Sequence, residues 1–228
     1  MQTILLSLLI ALTMITSTFA QPLLPALQEY CKTIEAEFNQ IDEERKKNLQ
    51  QIADYIQAKI DAHQNIRLTF ICTHNSRRSQ FGQVWAKVAG VYYGIALETF
   101  SGGTEVTACN PRTIAALQRA GFQIVENGSI SSTNPIYALS FVQGHPPLQL
   151  FSKAYYDATN PQQDFAAILV CSQADEACPI VRGATARIYH GYEDPKKSDG
   201  TPQESTAYDA TCRLIAREMF YVFALLKK

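Results

Sequence analysis

The chain has 228 residues, 46% hydrophobic and 18% charged, enough for one globular domain with additions. A formal net charge of −1 removes the reason to expect a nucleic acid or an anionic membrane surface as partner. Six cysteines in a chain this long are too few for a disulfide-built scaffold, so each has to be read in its own context.

Residues 3–19 form an uncharged apolar run closed by Thr18-Phe19-Ala20, which reads as a secretory signal peptide cleaved after Ala20. Retention of residues 1–20 as a membrane anchor is the alternative, although the run sits at the short limit for a span. The mature protein then starts at Gln21, is secreted or periplasmic, and has no membrane contact. Two amphipathic helices follow within residues 23–62. Leu24, Leu27, Cys31, Ile34 and Phe38 make one stripe, and Leu49, Ile52, Ile56 and Ile60 the other. Asp42, Glu43 and Glu44 place negative charge where the second helix starts, as the dipole favours.

The stretch Leu68-Thr-Phe-Ile-Cys72-Thr-His-Asn75-Ser-Arg-Arg78-Ser79 carries the chemistry. Strand-forming residues run into Cys72, and a helix-spaced pattern of Phe81, Val84, Trp85, Val88 and Tyr92 follows the loop. Strand, tight loop and helix N-terminus together make an oxyanion cradle, because backbone N–H groups converge where the helix dipole is positive. Cys72 lies at its floor as a thiolate nucleophile, and Arg78 offers a planar fork for two oxygens. Ser79 can donate a hydrogen bond to the sulfur.

Further on, Leu97–Gly103 reads as a strand ending in glycines, and Asn110-Pro111 opens a helix over 112–120 that Gly121 closes. Phe122–Val125 reads as another strand, and Ser129–Pro161, rich in turn formers, as surface loop with short pieces. Phe165–Val170 is a buried strand and Arg187–Tyr189 a short last one. Thr201-Pro-Gln-Glu204 has the pattern of a capping box for a final helix over 205–226, which buries Leu214, Ile215, Met219, Val222 and Phe223. Alternating strands and helices predict an α/β fold, a central parallel sheet with helices on both faces, whose ligands bind at the strands' carboxyl ends.

Cys171 and Cys178 follow the buried strand, seven residues apart. If the residues between them are helical, their α-carbons lie about 10.5 Å apart along the axis, beyond the roughly 7 Å a disulfide tolerates. Bonding them then requires the segment to unwind. A structural bridge and a pair of inert buried thiols remain open beside a redox role.

Cys72–Ser79 resembles the signature loop of the low-molecular-weight protein tyrosine phosphatase superfamily, which includes the thioredoxin-coupled arsenate reductases. The resemblance runs from about Gln64 to the C-terminus and includes Ser101-Gly-Gly103-Thr-Glu105 and Asn110-Pro111. It divides the chain into residues 1–20, a helical extension over 21–62 and a catalytic domain over 63–228. It implies oxyanion binding by Thr73, His74, Asn75, Ser76, Arg77 and Ser79 around Cys72 and Arg78, with no metal or cofactor. It also implies that Asp194, in Glu193-Asp194-Pro195, is the general acid, protonated near neutrality because an anion fills the pocket beside it. Cys171 and Cys178 resemble the resolving pair of the reductases. Two departures stand out. The family usually has glycine where His74 stands, which places either a left-handed turn or an oxyanion contact there. It often has a second loop cysteine where Arg77 stands, which leaves Cys171 as the resolver. Lys196-Lys197 replace the paired tyrosines that wall an aromatic substrate, which favours a small inorganic oxyanion.

The resulting expectation is an arsenate reductase served by a thioredoxin-like reductant. A phosphatase acting on phosphotyrosine or other phosphomonoesters through a Cys72 phosphoenzyme is the alternative, and a secreted oxyanion-binding protein the third reading.

Overall fold

The computed structural model describes residues 22–227, so the signal-peptide reading of residues 1–20 lies outside the described residues. β1 (Arg67–Cys72) carries Leu68, Phe70 and Ile71, and almost every position of that strand is buried. A strand buried on both faces has to be central, and β1 lies between β2 (Glu98–Gly103) and β6 (Phe165–Leu169), parallel to both. The fourth strand, β7 (Ala184–Tyr189), runs parallel to β6 and gives the order β2-β1-β6-β7. The chain moves from β1 to one side, through α3 (Arg78–Tyr93) into β2, and later returns to the other side with β6. The carboxyl ends of β1 and β6 therefore form the topological switch point, where open parallel sheets bind ligands.

Helices cover this sheet. α3 packs on β1 and β2, and is so closely set that a Cβ on Gly82 would fall 2.4 Å from the Phe70 ring. α6 (Glu204–Ala224) lies against α3 and buries Tyr208, Ile215, Met219, Phe220 and Phe223. Leu214, expected in the core, is only partly buried. The helix also starts later than a capping box at Thr201 requires. Gln203 is its N-cap with no side-chain cap, and the Glu204 carboxylate reaches back one residue further, accepting from the Gly200 N–H at 2.6 Å.

The two expected N-terminal helices are α1 (Pro25–Glu35) and α2 (Glu43–Asp61), the second capped by Asp42, whose carboxylate accepts the Arg45 N–H at 2.8 Å. They are fastened to the rest by polar contacts as well as by their apolar stripes. Glu35 accepts from Tyr92 and Tyr93 on α3, and Glu37 pairs with Arg213 on α6. α4 (Pro111–Arg119) begins as expected, with Asn110 as N-cap and Pro111 in its first turn.

The reading of Ser129–Pro161 as loop is corrected. β3 (Gln123–Ser131), β4 (Asn134–Ser140) and β5 (Leu148–Leu150) form a separate antiparallel sheet. Asn134-Pro135 does not make the turn. Pro135 is already in β4, opposite Ser129 at a register shift, and Leu139, Phe141 and Leu150 are buried. Proline is tolerated at such irregular positions because the ladder there lacks a regular donor. Among the described residues no helix is long and apolar enough to cross a membrane.

Candidate active site

Three chain segments leave the sheet side by side at the switch point. The Val170 N–H donates to the Ile71 carbonyl at 2.8 Å, and the Tyr192 N–H donates to the Val170 carbonyl at 3.1 Å. Cys72 at the end of β1, Cys171 just after β6 and the Tyr192–Asp194 segment are thereby brought together. The loop between Cys72 and α3 curls over the β1 end, and Gly103 makes room for it. A Cβ there would lie 2.6 Å from the Thr73 carbonyl and 2.8 Å from the Asn75 nitrogen.

The left-handed turn of this loop falls at Asn75, φ 46°, and not at His74. Asparagine tolerates that conformation far better than most side chains. Asn75 is fully buried, and its amide buttresses the loop. Nδ2 donates to Ser79 Oγ at 2.9 Å, and Oδ1 accepts the Lys153 N–H at 3.0 Å. The Ser76 carbonyl is held by the Asn110 N–H and the Thr113 hydroxyl. Asn110, Lys153 and Gln80, which also donates to the Asn75 carbonyl at 2.9 Å, support the loop without appearing in the candidate set from sequence. Only Asn110 carried a signal, as a helix cap.

At the floor, Cys72 Sγ lies 3.1 Å from Ser79 Oγ, and the thiol is 4% exposed. Arg78, the first residue of α3, is 8% exposed. Its Nη1 donates to the Tyr192 carbonyl at 2.9 Å and its Nη2 to Asp194 Oδ2 at 2.8 Å. A cleft of about 530 Å3 opens beside this pair, lined by Arg78, Asp194, Ser172, Gln173, Lys197 and Arg45.

Two expected oxyanion ligands point elsewhere. The His74 imidazole is 3.2 Å from the Glu105 carboxylate at the rim. Arg77 donates from Nε to Tyr208 OH at 2.8 Å and stands 3.9 Å from both Asp194 and Asp199. Both side chains therefore brace the rim and the acid loop. Thr73 Oγ1 meets Cys171 Sγ at 3.5 Å.

The cysteines are all free thiols and fall into two groups. Burial pushes Cys31, Cys109 and Cys212 up to about 12, so these three are protonated core side chains. Cys171 and Cys178 bracket α5 (Ser172–Ala177), as N-cap and C-cap. The intervening residues are thus helical, and the two cysteines stand at the opposite ends of that helix. Burial raises the Cys178 thiol, and the Tyr155 hydroxyl works against it through a hydrogen bond.

No protein-family model matches the chain. An arsenate reductase of Halalkalibacterium halodurans is 28% identical over 138 residues, 60% of this chain and 80% of the relative. One from Bacillus subtilis is 26% identical over 145 residues, 64% of this chain and 85% of the relative. The chain resembles the arsenate reductases. Among solved structures, a low-molecular-weight protein tyrosine phosphatase from T. tengcongensis superposes with a TM-score of 0.48 at 14% identity, covering 71% of this chain and all of the other.

Proposed function

We propose that the protein is an arsenate reductase, with Cys72 as nucleophile and Cys171 and Cys178 as successive resolving thiols. The observation that carries this reading over a plain phosphatase is the position of Cys171, at the end of the strand beside β1 and in contact with Thr73, next in chain to Cys72. A phosphatase has no use for a thiol there.

Arsenate binds in the 72–79 loop, its oxygens on the backbone N–H groups, with the Arg78 fork supplying positive charge. The Cys72 sulfur attacks arsenic, and Asp194 gives a proton to the departing oxygen, which leaves as water. Cys171 then attacks the Cys72 sulfur. The S–S bond forms, the S–As bond breaks, and its electron pair stays on arsenic, which leaves as arsenite. Cys178 next attacks Cys171, freeing Cys72 and leaving a Cys171–Cys178 disulfide that an external dithiol protein of thioredoxin type reduces. That second disulfide needs α5 to unwind, and α5 is six residues long, little more than a nucleus.

Hydrolysis of phosphomonoesters at the same loop is the second reading, because Cys72, Arg78 and Asp194 suffice for it and water resolves the intermediate. A paired assay separates them: arsenate reduction with thioredoxin and its reductase, against hydrolysis of an aryl phosphate. Arsenate turnover well above phosphate-ester turnover is the expected result. Brisk ester hydrolysis with no arsenite released replaces the first reading with the second.

The Arg78–Asp194 contact makes a prediction for either chemistry. Asp194→Asn should slow turnover by about 10²–10⁴-fold, the size of a general-acid contribution. Arsenate affinity should not weaken, since the change removes a negative charge facing the anion. Unchanged kcat on a substrate with a poor leaving group would return Asp194 to a purely structural role at the Arg78 guanidinium.

A further inference from the structure

The N-terminal segment lies outside the resemblance that identifies the loop, yet one of its side chains reaches the residues that hold Arg78. Arg45 is in the first turn of α2 and engages the 190–192 segment and α6 at once. Its Nε lies 2.6 Å from Glu218 Oε1 and its Nη2 lies 2.7 Å from Glu218 Oε2, a two-pronged pair. Nη1 donates to the Gly191 carbonyl at 3.0 Å, and His190 Nε2 lies 2.8 Å from Glu218 Oε2. The guanidinium carbon sits 5.0 Å over the Tyr192 ring. Glu218 and His190 are each 1% exposed, so solvent does not loosen this set. Burial alone would raise the Glu218 carboxyl, but hydrogen bonds from His190 and Arg45 outweigh it and hold the group down at about 2.

What Arg45 grips is the backbone from which the site is hung. Tyr192, the residue after Gly191, fixes Arg78 through its carbonyl, and Asp194 lies two residues further along. The Arg78 guanidinium has a soft four-bond stem, and its fork is useful to a tetrahedral oxyanion only when aimed. The only donors and acceptors that aim it are the Tyr192 carbonyl and Asp194, among the hydrogen bonds of the described residues. Without Arg45, the carbonyl of Gly191 and the buried Glu218 carboxylate lose their cationic partner, and the segment carrying both restraints is free to shift.

We infer that Arg45 is a positioning residue for oxyanion capture: through Gly191, Tyr192 and Glu218 it holds Arg78 and Asp194 in register with the Cys72 loop. The inference rests on the proposal that the loop binds an oxyanion. It also gives the N-terminal helices a role beyond covering the sheet.

Glu37 provides the control, because its pair with Arg213 joins the same segment to the same helix away from the site. Titration calorimetry with arsenate and with inorganic phosphate would be run on the full chain, Arg45→Gln, Arg45→Lys and Glu37→Gln, with thermal melts to correct for any unfolded fraction. Arg45→Gln should weaken anion binding by about tenfold or more, as small misplacements in sites of this kind do. Glu37→Gln should stay within about twofold of the parent. Arg45→Lys, with charge but a single ammonium in place of the guanidinium fork, should fall between. Equal losses in Arg45→Gln and Glu37→Gln would reduce Arg45 to a general structural contact and overturn the inference, as would Arg45→Gln binding like the parent. If the parent binds neither anion, the functional reading itself fails and takes this inference with it.

Discussion

Cys72→Ser should release no arsenite and hydrolyse no aryl phosphate, with rates down by about 10⁴-fold or more, as loss of the proposed covalent nucleophile would dictate. A serine hydroxyl is a far weaker nucleophile than a thiolate. The side chain hydrogen-bonded to the sulfur is Ser79 Oγ, at 3.1 Å, itself a hydroxyl that also accepts from Asn75 and is no base for a new serine. The fold should survive. The substitution removes little volume from a site that is 4% exposed, and the new hydroxyl inherits the Ser79 contact. Anion binding should persist too, because the backbone N–H groups and Arg78 are untouched. The measurement is therefore turnover of both substrates beside calorimetric affinity for arsenate. Turnover within about tenfold of the parent, with affinity intact, would sink both enzymatic readings and leave a protein that only binds oxyanions.

The features legible in the sequence are those with local physical causes. Strand-forming residues running into Cys72 read as a strand, and helix periodicity after Ser79 placed a helix N-terminus beyond the loop, as β1 and α3 do. Asn110 was readable as a cap because capping needs only a short side chain and the turn beyond it, and Asp42 only as negative charge at a helix start, where it is the N-cap. What failed was non-local. Asn134-Pro135 looks like a turn until Ser129 is placed opposite it, and that pairing comes from a hairpin whose buried apolar pair, Ile124 and Leu139, is modest in the sequence. His74 drew the left-handed turn by analogy with a family glycine, while the backbone uses Asn75, the next residue and a better left-handed former. Arg77 sits beside Arg78 in sequence, but it is the non-helical N-cap and Arg78 the first helical residue, so Arg78 donates to Asp194 while Arg77 donates to Tyr208. The grip of Arg45 on Gly191 and Glu218 spans separations of 146 and 173 residues and has no sequence signature.

Replacing Cys178 by serine should leave a protein that releases about one equivalent of arsenite per chain and stops. The argument follows from where the thiols sit. Cys171 meets Thr73, the neighbour of Cys72, so on the proposed relay the first resolving step should need no opening of α5. Cys178 is at the far cap of α5, and its thiol, raised by burial, is engaged by Tyr155. On the same proposal it should act only after the helix opens, to clear the first disulfide. The serine variant should therefore accumulate a Cys72–Cys171 disulfide, visible by mass spectrometry of unreduced digests, whereas Cys171→Ser should stop earlier, at the Cys72 adduct, with no arsenite released. Phosphate-ester hydrolysis, which uses water in place of these thiols, should be nearly indifferent to both changes. Normal multiple turnover of arsenate by Cys178→Ser with thioredoxin would show that the second thiol is not used. Arsenite release by Cys171→Ser would show that Cys171 is not the first resolving thiol and overturn the order of the relay, since outside the core group of Cys31, Cys109 and Cys212 only Cys178 would then be left to attack the adduct.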